Sequence, residues 1–195
     1  MSEAYVSDLI KSKFPEAVVS SHSYRGNETL VIKPEGLLRI CGFLKNEPKA
    51  AFNFLIDITC VDYLAFGKSQ HSAPTLATPS PLPYFMNSVP SNETWQPVAA
   101  DDFRFEVVYH LYSLEWNRRI RLKIALKEGA LSLDSLTGLW KAADWFEREV
   151  YDMFGVQFKG HPNLKRILMY DSFEGHPLRK DYPVNKRQPI IGPLN

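Results

Sequence analysis

The chain has 195 residues, 45% hydrophobic and 23% charged, with a formal net charge of +1. That length and balance suit one well-packed domain with extensions and exclude a chain disordered throughout. Near-neutrality supplies no whole-chain attraction to nucleic acid or an anionic membrane, and the most apolar stretch, Phe52 to Phe66, is broken by Asp57 and Asp62, well short of the ~20 residues of a membrane span.

At the N-terminus neither a basic leader nor an Arg-rich amphipathic one is visible, so no export or transit signal is expected. Ser2 to Phe14 predicts a short helix, with Tyr5, Leu9 and Ile10 on one side and Pro15 ending it. Ala17–Ser23 and Glu28–Lys33 are β-type runs around a turn at Arg25-Gly26-Asn27. Pro34 suits the first turn of a second helix, in which Leu37, Leu38, Cys41 and Leu44 recur every three to four residues until Asn46-Glu47-Pro48. Phe54 to Tyr63 returns to strand character. Gly67 to Asp102 then holds six of the fourteen prolines with little periodicity, which predicts a surface insertion or a partner-binding loop.

Arg104–Leu114 and Arg119–Lys127 carry the clearest hairpin signal. In the second arm Ile120, Leu122, Ile124 and Leu126 alternate with Arg119, Arg121 and Lys123, so one face is buried and the other wet. The cover is expected from the next element, where Leu139, Ala143, Phe146, Val150, Met153 and Phe154 have helical spacing and Gly155 suits a left-handed cap. After Gly160 no period persists and five prolines punctuate the rest. Seven Lys/Arg against three Asp/Glu from Lys159 to Asn195 give this tail +4, leaving −3 upstream. Ordering such a tail costs on the order of 1 kcal/mol per residue, which it recovers only by lying on something else.

Three chemistries compete for the charged helix and tail. Asp144, Arg148 and Asp152, four apart, read as a solvated acid-base-acid ladder or as catalytic carboxylates, yet no Gly-x-Ser-x-Gly, reactive-cysteine signature or His-Glu-x-x-His accompanies them. His161 and His176, each in a Gly-His-Pro, could hold a metal with Asp171 or Glu174, as in a metal-dependent hydrolase, or could fix turns by bonding backbone carbonyls. Lys165-Arg166, Arg179-Lys180 and Lys186-Arg187 raise an RNA-binding tail, but they alternate with Asp171, Glu174 and Asp181, a mixed pattern that fits pairing across a protein interface better. Cys41 and Cys60 are the only cysteines, without Cys-x-x-Cys, and are expected as buried reduced thiols. Neither Gly-x-Gly-x-x-Gly nor Gly-x-x-x-x-Gly-Lys-Ser/Thr occurs, so no nucleotide site of those kinds is indicated.

The same helix resembles a known family. Glu147-Arg148-Glu149, then Asp152, Met153-Phe154, His161, Lys165 and Ile167-Leu168 reproduce at every position the signature of the C-type subunit of the bacterial-type NADH:quinone oxidoreductase, respiratory complex I. The likeness extends through "FLIDITCVDY", "RFEVVYHLYSL" and "RIRLK" upstream and "EGHPLRKDYP" downstream. It implies a hydrophilic peripheral-arm subunit on the cytoplasmic face of the bacterial plasma membrane. Such a subunit binds no cofactor of its own; FMN, iron-sulfur clusters, NADH and quinone belong to other subunits. Its partners would be the D-type, quinone-site subunit and the cluster-bearing subunits. A similar subunit serves NADH-independent relatives such as membrane-bound hydrogenases.

The combined expectation is an α+β domain over residues 1–158, with a mixed, largely antiparallel sheet and helices on one face. An insertion at 67–102 and an extended, irregular, basic arm at 159–195 complete it. Catalytic residues are expected to be none. Glu147, Arg148, Glu149 and Asp152 are expected to lock the helix to the arm or a partner. His161, Lys165, Arg166, His176, Arg179, Lys180 and Asp181 are expected to anchor the arm.

Overall fold

A computed structural model describes residues 6–64 and 103–189. In chain order its elements are α1 (Val6–Lys13), β1 (Val18–Tyr24), β2 (Asn27–Ile32), a 3-10 turn (Pro34–Gly36), α2 (Leu37–Asn46), β3 (Phe54–Asp62), β4 (Phe105–Ser113), β5 (Arg118–Leu126), β6 (Ser132–Asp134), α3 (Ala143–Phe154) and β7 (Gln157–Lys159). Residues 2–5 of the expected first helix, the whole 67–102 insertion and the last six residues of the arm lie outside the described residues.

Alternation along β4 and β5 builds the centre of the fold. Their antiparallel register sets Phe105 opposite Leu126, Val107 opposite Ile124, Tyr109 opposite Leu122 and Leu111 opposite Ile120, so every second residue joins one apolar face. β3 adds to β4 antiparallel, β2 adds to β5 parallel, and β1 closes the far edge antiparallel to β2, giving the order β1-β2-β5-β4-β3. The sheet is therefore mixed and mainly antiparallel, and the α+β expectation holds.

All three helices feed the core on that apolar face: Val6 and Ile10 from α1, Leu37, Ile40, Cys41 and Leu44 from α2, and Val150, Met153 and Phe154 from α3. Each fully buried Leu or Ile contributes roughly 1.5–3 kcal/mol, and truncating Leu122 at the sheet centre to Ala would cost about 2–5 kcal/mol. The entry of α1 is fixed from β2, because the buried Glu28 carboxylate accepts the first helical N–H groups of Val6 (3.1 Å) and Ser7 (2.6 Å).

The third helix starts later than the spacing from Leu139 predicts. Residues 135–142 instead make successive turns, with Trp140 N–H donating to Leu136 O (2.9 Å) and Ala143 N–H to Trp140 O (3.1 Å). Those turns still deliver Leu136 and Trp140 to the core, so they mimic helical periodicity. Flanking α3, β6 and β7 pair in parallel with Leu133 opposite Phe158, both buried. Three residues per strand carry no readable period.

Candidate interface between the third helix and the C-terminal arm

A helix leaves its last four carbonyls without intrahelical donors. In α3 all four find one. Gly155 N–H donates to Tyr151 O (2.8 Å), His176 Nδ1 to Asp152 O (2.9 Å), Leu178 N–H to Met153 O (3.2 Å) and Arg179 Nε to Phe154 O (2.6 Å). Three of these donors belong to the arm, which thus caps the helix in trans. Gly155 makes room for it: φ is +78°, and a Cβ there would lie 2.6 Å from both Arg179 Nη2 and His176 Nε2.

Asp152 ties down the next stretch. Its side chain is wholly buried; Oδ2 accepts the N–H groups of Ile167 (3.0 Å), Leu168 (2.8 Å) and Met169 (2.8 Å), and Oδ1 accepts Arg166 Nη1 (2.6 Å). Burial raises its pKa, but the bonds from Met169, Arg166, Leu168 and Ile167 outweigh that and hold the carboxyl below its ordinary value. Arg148 reaches the same strip from one turn earlier, Nε donating to Lys165 O (3.2 Å) and Nη2 to Arg166 O (3.1 Å). Arg166 then donates through Nη2 to Gly175 O (3.0 Å), joining both halves of the arm.

The start of the arm is held by His161. Its Nδ1 accepts Asn163 N–H (3.0 Å), so Nε2 carries the ring proton; it lies 3.2 Å from Asp144 O and 3.1 Å from Asp144 Oδ1. The carbonyl takes the hydrogen bond, and the buried carboxylate oxygen Oδ1 is left without a hydrogen-bond partner among the described residues. The far part of the arm meets the sheet through Asp62. This buried carboxylate accepts Arg104 Nε (3.1 Å) and Nη2 (2.9 Å) together with Lys180 N–H (2.8 Å), while Arg104 also pairs with Asp181 (2.7 Å) and Glu128. Burial pushes the Asp62 pKa up, but Arg104 and the N–H groups of Lys180 and Leu64 bring it below the ordinary value.

Glu147 is equally buried but faces elsewhere. Its carboxylate accepts Leu136 N–H (2.6 Å) and Ser135 Oγ (2.6 Å), fixing the turns before α3 rather than the arm. Burial dominates here and the pKa is raised. Glu149 is exposed, and neither it nor the Lys165 side chain has a partner among the described residues. The arm also has a small cluster of its own: Phe173 stacks on Tyr182 (6.0 Å) and meets Tyr170 edge-on (5.6 Å).

The Asp144–Arg148–Asp152 spacing is thus not an intrahelical ladder; each member points to the arm. His161 and His176 sit on separate backbone carbonyls, and among the described residues no three of His, Cys, Asp or Glu converge as metal ligands. Burial raises both thiols, Cys60 to about 12, which keeps them protonated. Asp62, Arg104 and Glu128 are not among the expected anchors. An acid inside the apolar run "FLIDITCVDY" is the signal that points to them, since a buried carboxylate demands a partner.

A family profile described as "Respiratory-chain NADH dehydrogenase, 30 Kd subunit" matches residues 30–188. The chain is 40% identical over 188 residues to the C-type subunit of NADH-quinone oxidoreductase from Citrifermentans bemidjiense, covering 95% of this chain and 94% of that one. It is 38% identical to the same subunit of Geobacter metallireducens, with the same coverage. Among solved structures, a trypsin-resistant fragment (1-134) of Nqo5 aligns over 82% of this chain and 98% of its own, with TM-score 0.56 and 28% identity. A chain of an archaeal membrane-bound sulfane sulfur reductase aligns with TM-score 0.64 over 92% of this chain and 85% of its own; at 19% identity it shares the fold.

Proposed function

This chain belongs to the respiratory-chain NADH dehydrogenase 30 kDa subunit family, as the C-type subunit of an NADH-quinone oxidoreductase, and we propose that it works there as a docking subunit without reacting groups of its own. Oxidation of NADH and reduction of quinone belong to the assembled enzyme. The chain's part is to bind the D-type, quinone-site subunit and the cluster-bearing subunits on the cytoplasmic face of the membrane, with FMN and iron-sulfur clusters carried by those neighbours. No helix among the described residues is long and apolar enough to cross a membrane.

One observation carries the reading: the arm is tied down through its backbone and, while Leu164 and Met169 pack against the core, three of its apolar side chains face outward. Leu168 is 57% exposed, Leu178 50% and Val184 fully exposed, although the N–H groups of Leu168 and Leu178 are bound to α3. A strip held in this way presents apolar side chains to a second protein without the entropic cost of ordering on contact. The test is Leu168→Asp with Leu178→Asp, which leaves the backbone latch intact. The double variant should stay folded by circular dichroism yet be recovered with the complex at less than about a tenth of the parental level, the loss expected from two desolvated contacts of about 1 kcal/mol or more each. Parental recovery would overturn the proposal.

A further inference from the structure

The helices cover one face of the five-stranded sheet, and the other face has an order of its own. Cross-strand register aligns His22, Thr29, Arg121, His110 and Asp57 in one row from β1 to β3, and Arg119, Tyr112 and Phe54 in the row beside it. Tyr24, two residues beyond His22 on β1, falls on the same face beside the β1–β2 turn. Arg119 lies over the Tyr112 ring at 5.7 Å and Arg25 over the Tyr24 ring at 5.1 Å. Tyr24 and Phe54 are each about half exposed.

Charge on this end of the face is one-sided. Among the described residues no carboxylate forms an ion pair with Arg25, Arg119 or Arg121; Glu106 is engaged by Lys123 at 2.6 Å, and Asp57 stands opposite His110 in the first row. The imidazoles register the same field: burial first, then Lys123 and Arg121, lower the pKa of His22 against a weaker pull from Glu106, and burial first, then Arg121, lowers that of His110 against Asp57, with smaller contributions from Arg119 and Lys123.

We infer that the exposed end of the sheet face opposite the helices, formed by Tyr24, Arg25, Phe54, Tyr112, Arg119 and Arg121, is a docking surface for an acidic segment of another subunit. Arg119 and Arg121, two residues apart on β5, stand roughly 7 Å from each other, a distance matched by carboxylates at alternate positions of a strand or one turn apart on a helix. Guanidinium beside aromatic ring is the residue pairing enriched at protein interfaces, and the planar fork takes carboxylates bidentately. A second copy of this chain would bring the same positive charge and is disfavoured. A nucleic acid would need far more cationic contacts than three to bind appreciably. A lipid surface would favour protruding apolar side chains over rings interleaved with guanidiniums.

The inference rests on the chain being a subunit of the complex, and the experiment separates the two. Phe54 is replaced by photoreactive benzoylphenylalanine, the assembled complex is purified and irradiated, and the crosslinked peptide is identified by mass spectrometry. The expected product joins this chain to another subunit through a peptide with an excess of Asp and Glu. The yield should fall at least tenfold with Arg119→Glu and Arg121→Glu, and survive Arg119→Lys with Arg121→Lys. A crosslink confined to this chain or a second copy, to lipid or nucleic acid, or absent altogether overturns the inference, and the parental product decides this even if the charge-reversed chain misfolds. If the parental chain does not co-purify with the complex, the proposed function falls first.

Discussion

Replacing Asp152 with Ala removes the acceptor for three backbone N–H groups and for Arg166 at once. Four bonds to an ionised group, at ~1.5–3 kcal/mol each, set an upper bound that water access to the part-exposed arm must lower. The cost of breaking a buried ion pair, about 3–5 kcal/mol, is the better guide. The helix itself keeps its apolar anchors Val150, Met153 and Phe154, so the loss falls on the arm first. When opening is fast relative to cleavage, proteolysis reports the open population. A loss of about 3 kcal/mol therefore predicts roughly 100-fold faster trypsin cleavage after Lys165 and Arg166, with helical circular dichroism retained. Cleavage at the parental rate in the folded variant would refute the claim that this carboxylate holds the arm.

Glu147→Gln should be mild, within about 1 kcal/mol of the parent, because folding already disfavours the charged form and a neutral amide can still accept Leu136 N–H and donate to Ser135 Oγ. An equal loss for Glu147→Gln and Asp152→Asn in denaturant titrations would contradict the opposite pKa directions of the two acids. Gly155→Ala forces a side chain into a left-handed backbone and against His176 and Arg179, so about 2 kcal/mol should be lost and the arm freed; unchanged protease resistance would count against the fit described. His176 is lowered chiefly by burial and by Arg179 and Arg166, so the unfolded chain takes up its proton first as pH falls. Its contribution is complete above the ordinary value near 6.5 and is lost as pH falls from there through the folded value. Arm cleavage should therefore rise between pH 7.5 and 5.5, and the rise should flatten in His176→Gln; equal slopes in both proteins would dismiss the histidine as its source.

The strands were legible because alternation is a local property. Ile120, Leu122, Ile124 and Leu126 declare a buried face without reference to anything distant. The parallel seating of β2 on β5 was not, since the partners are about ninety residues apart and either edge of the hairpin would satisfy the same pattern. The candidate site divides in the same way. Arg148, Asp152 and His161 stand out through the family signature, whereas Asp62, Arg104 and Glu128 do not, and the partner of each is not legible at all: Glu147 and Asp152 are both acids of one helix, and only the turns at 135–136 and the arm at 166–169 distinguish their roles. A hint lay in the spacing, because five residues turn a helix by about 140°, which sets the two carboxylates on different sides.

The placement of charge explains why the basic end of the chain settles where it does. A helix C-terminus carries partial negative charge, so an acid there is disfavoured and cations are welcome. Asp152 adds a full negative charge to that end of α3, and its lowered pKa shows that the surroundings more than compensate. The compensation comes from the arm, which supplies Arg166 to the carboxylate, Arg179 to the last carbonyl and a row of N–H groups between. Helix and arm therefore complete each other: without the arm, α3 would end in a buried anion and three uncapped carbonyls, and without α3 the arm would lack most of the partners that order it. With the backbone occupied by this exchange, the side chains of Leu168, Leu178 and Val184 remain outside, as the proposed docking role requires.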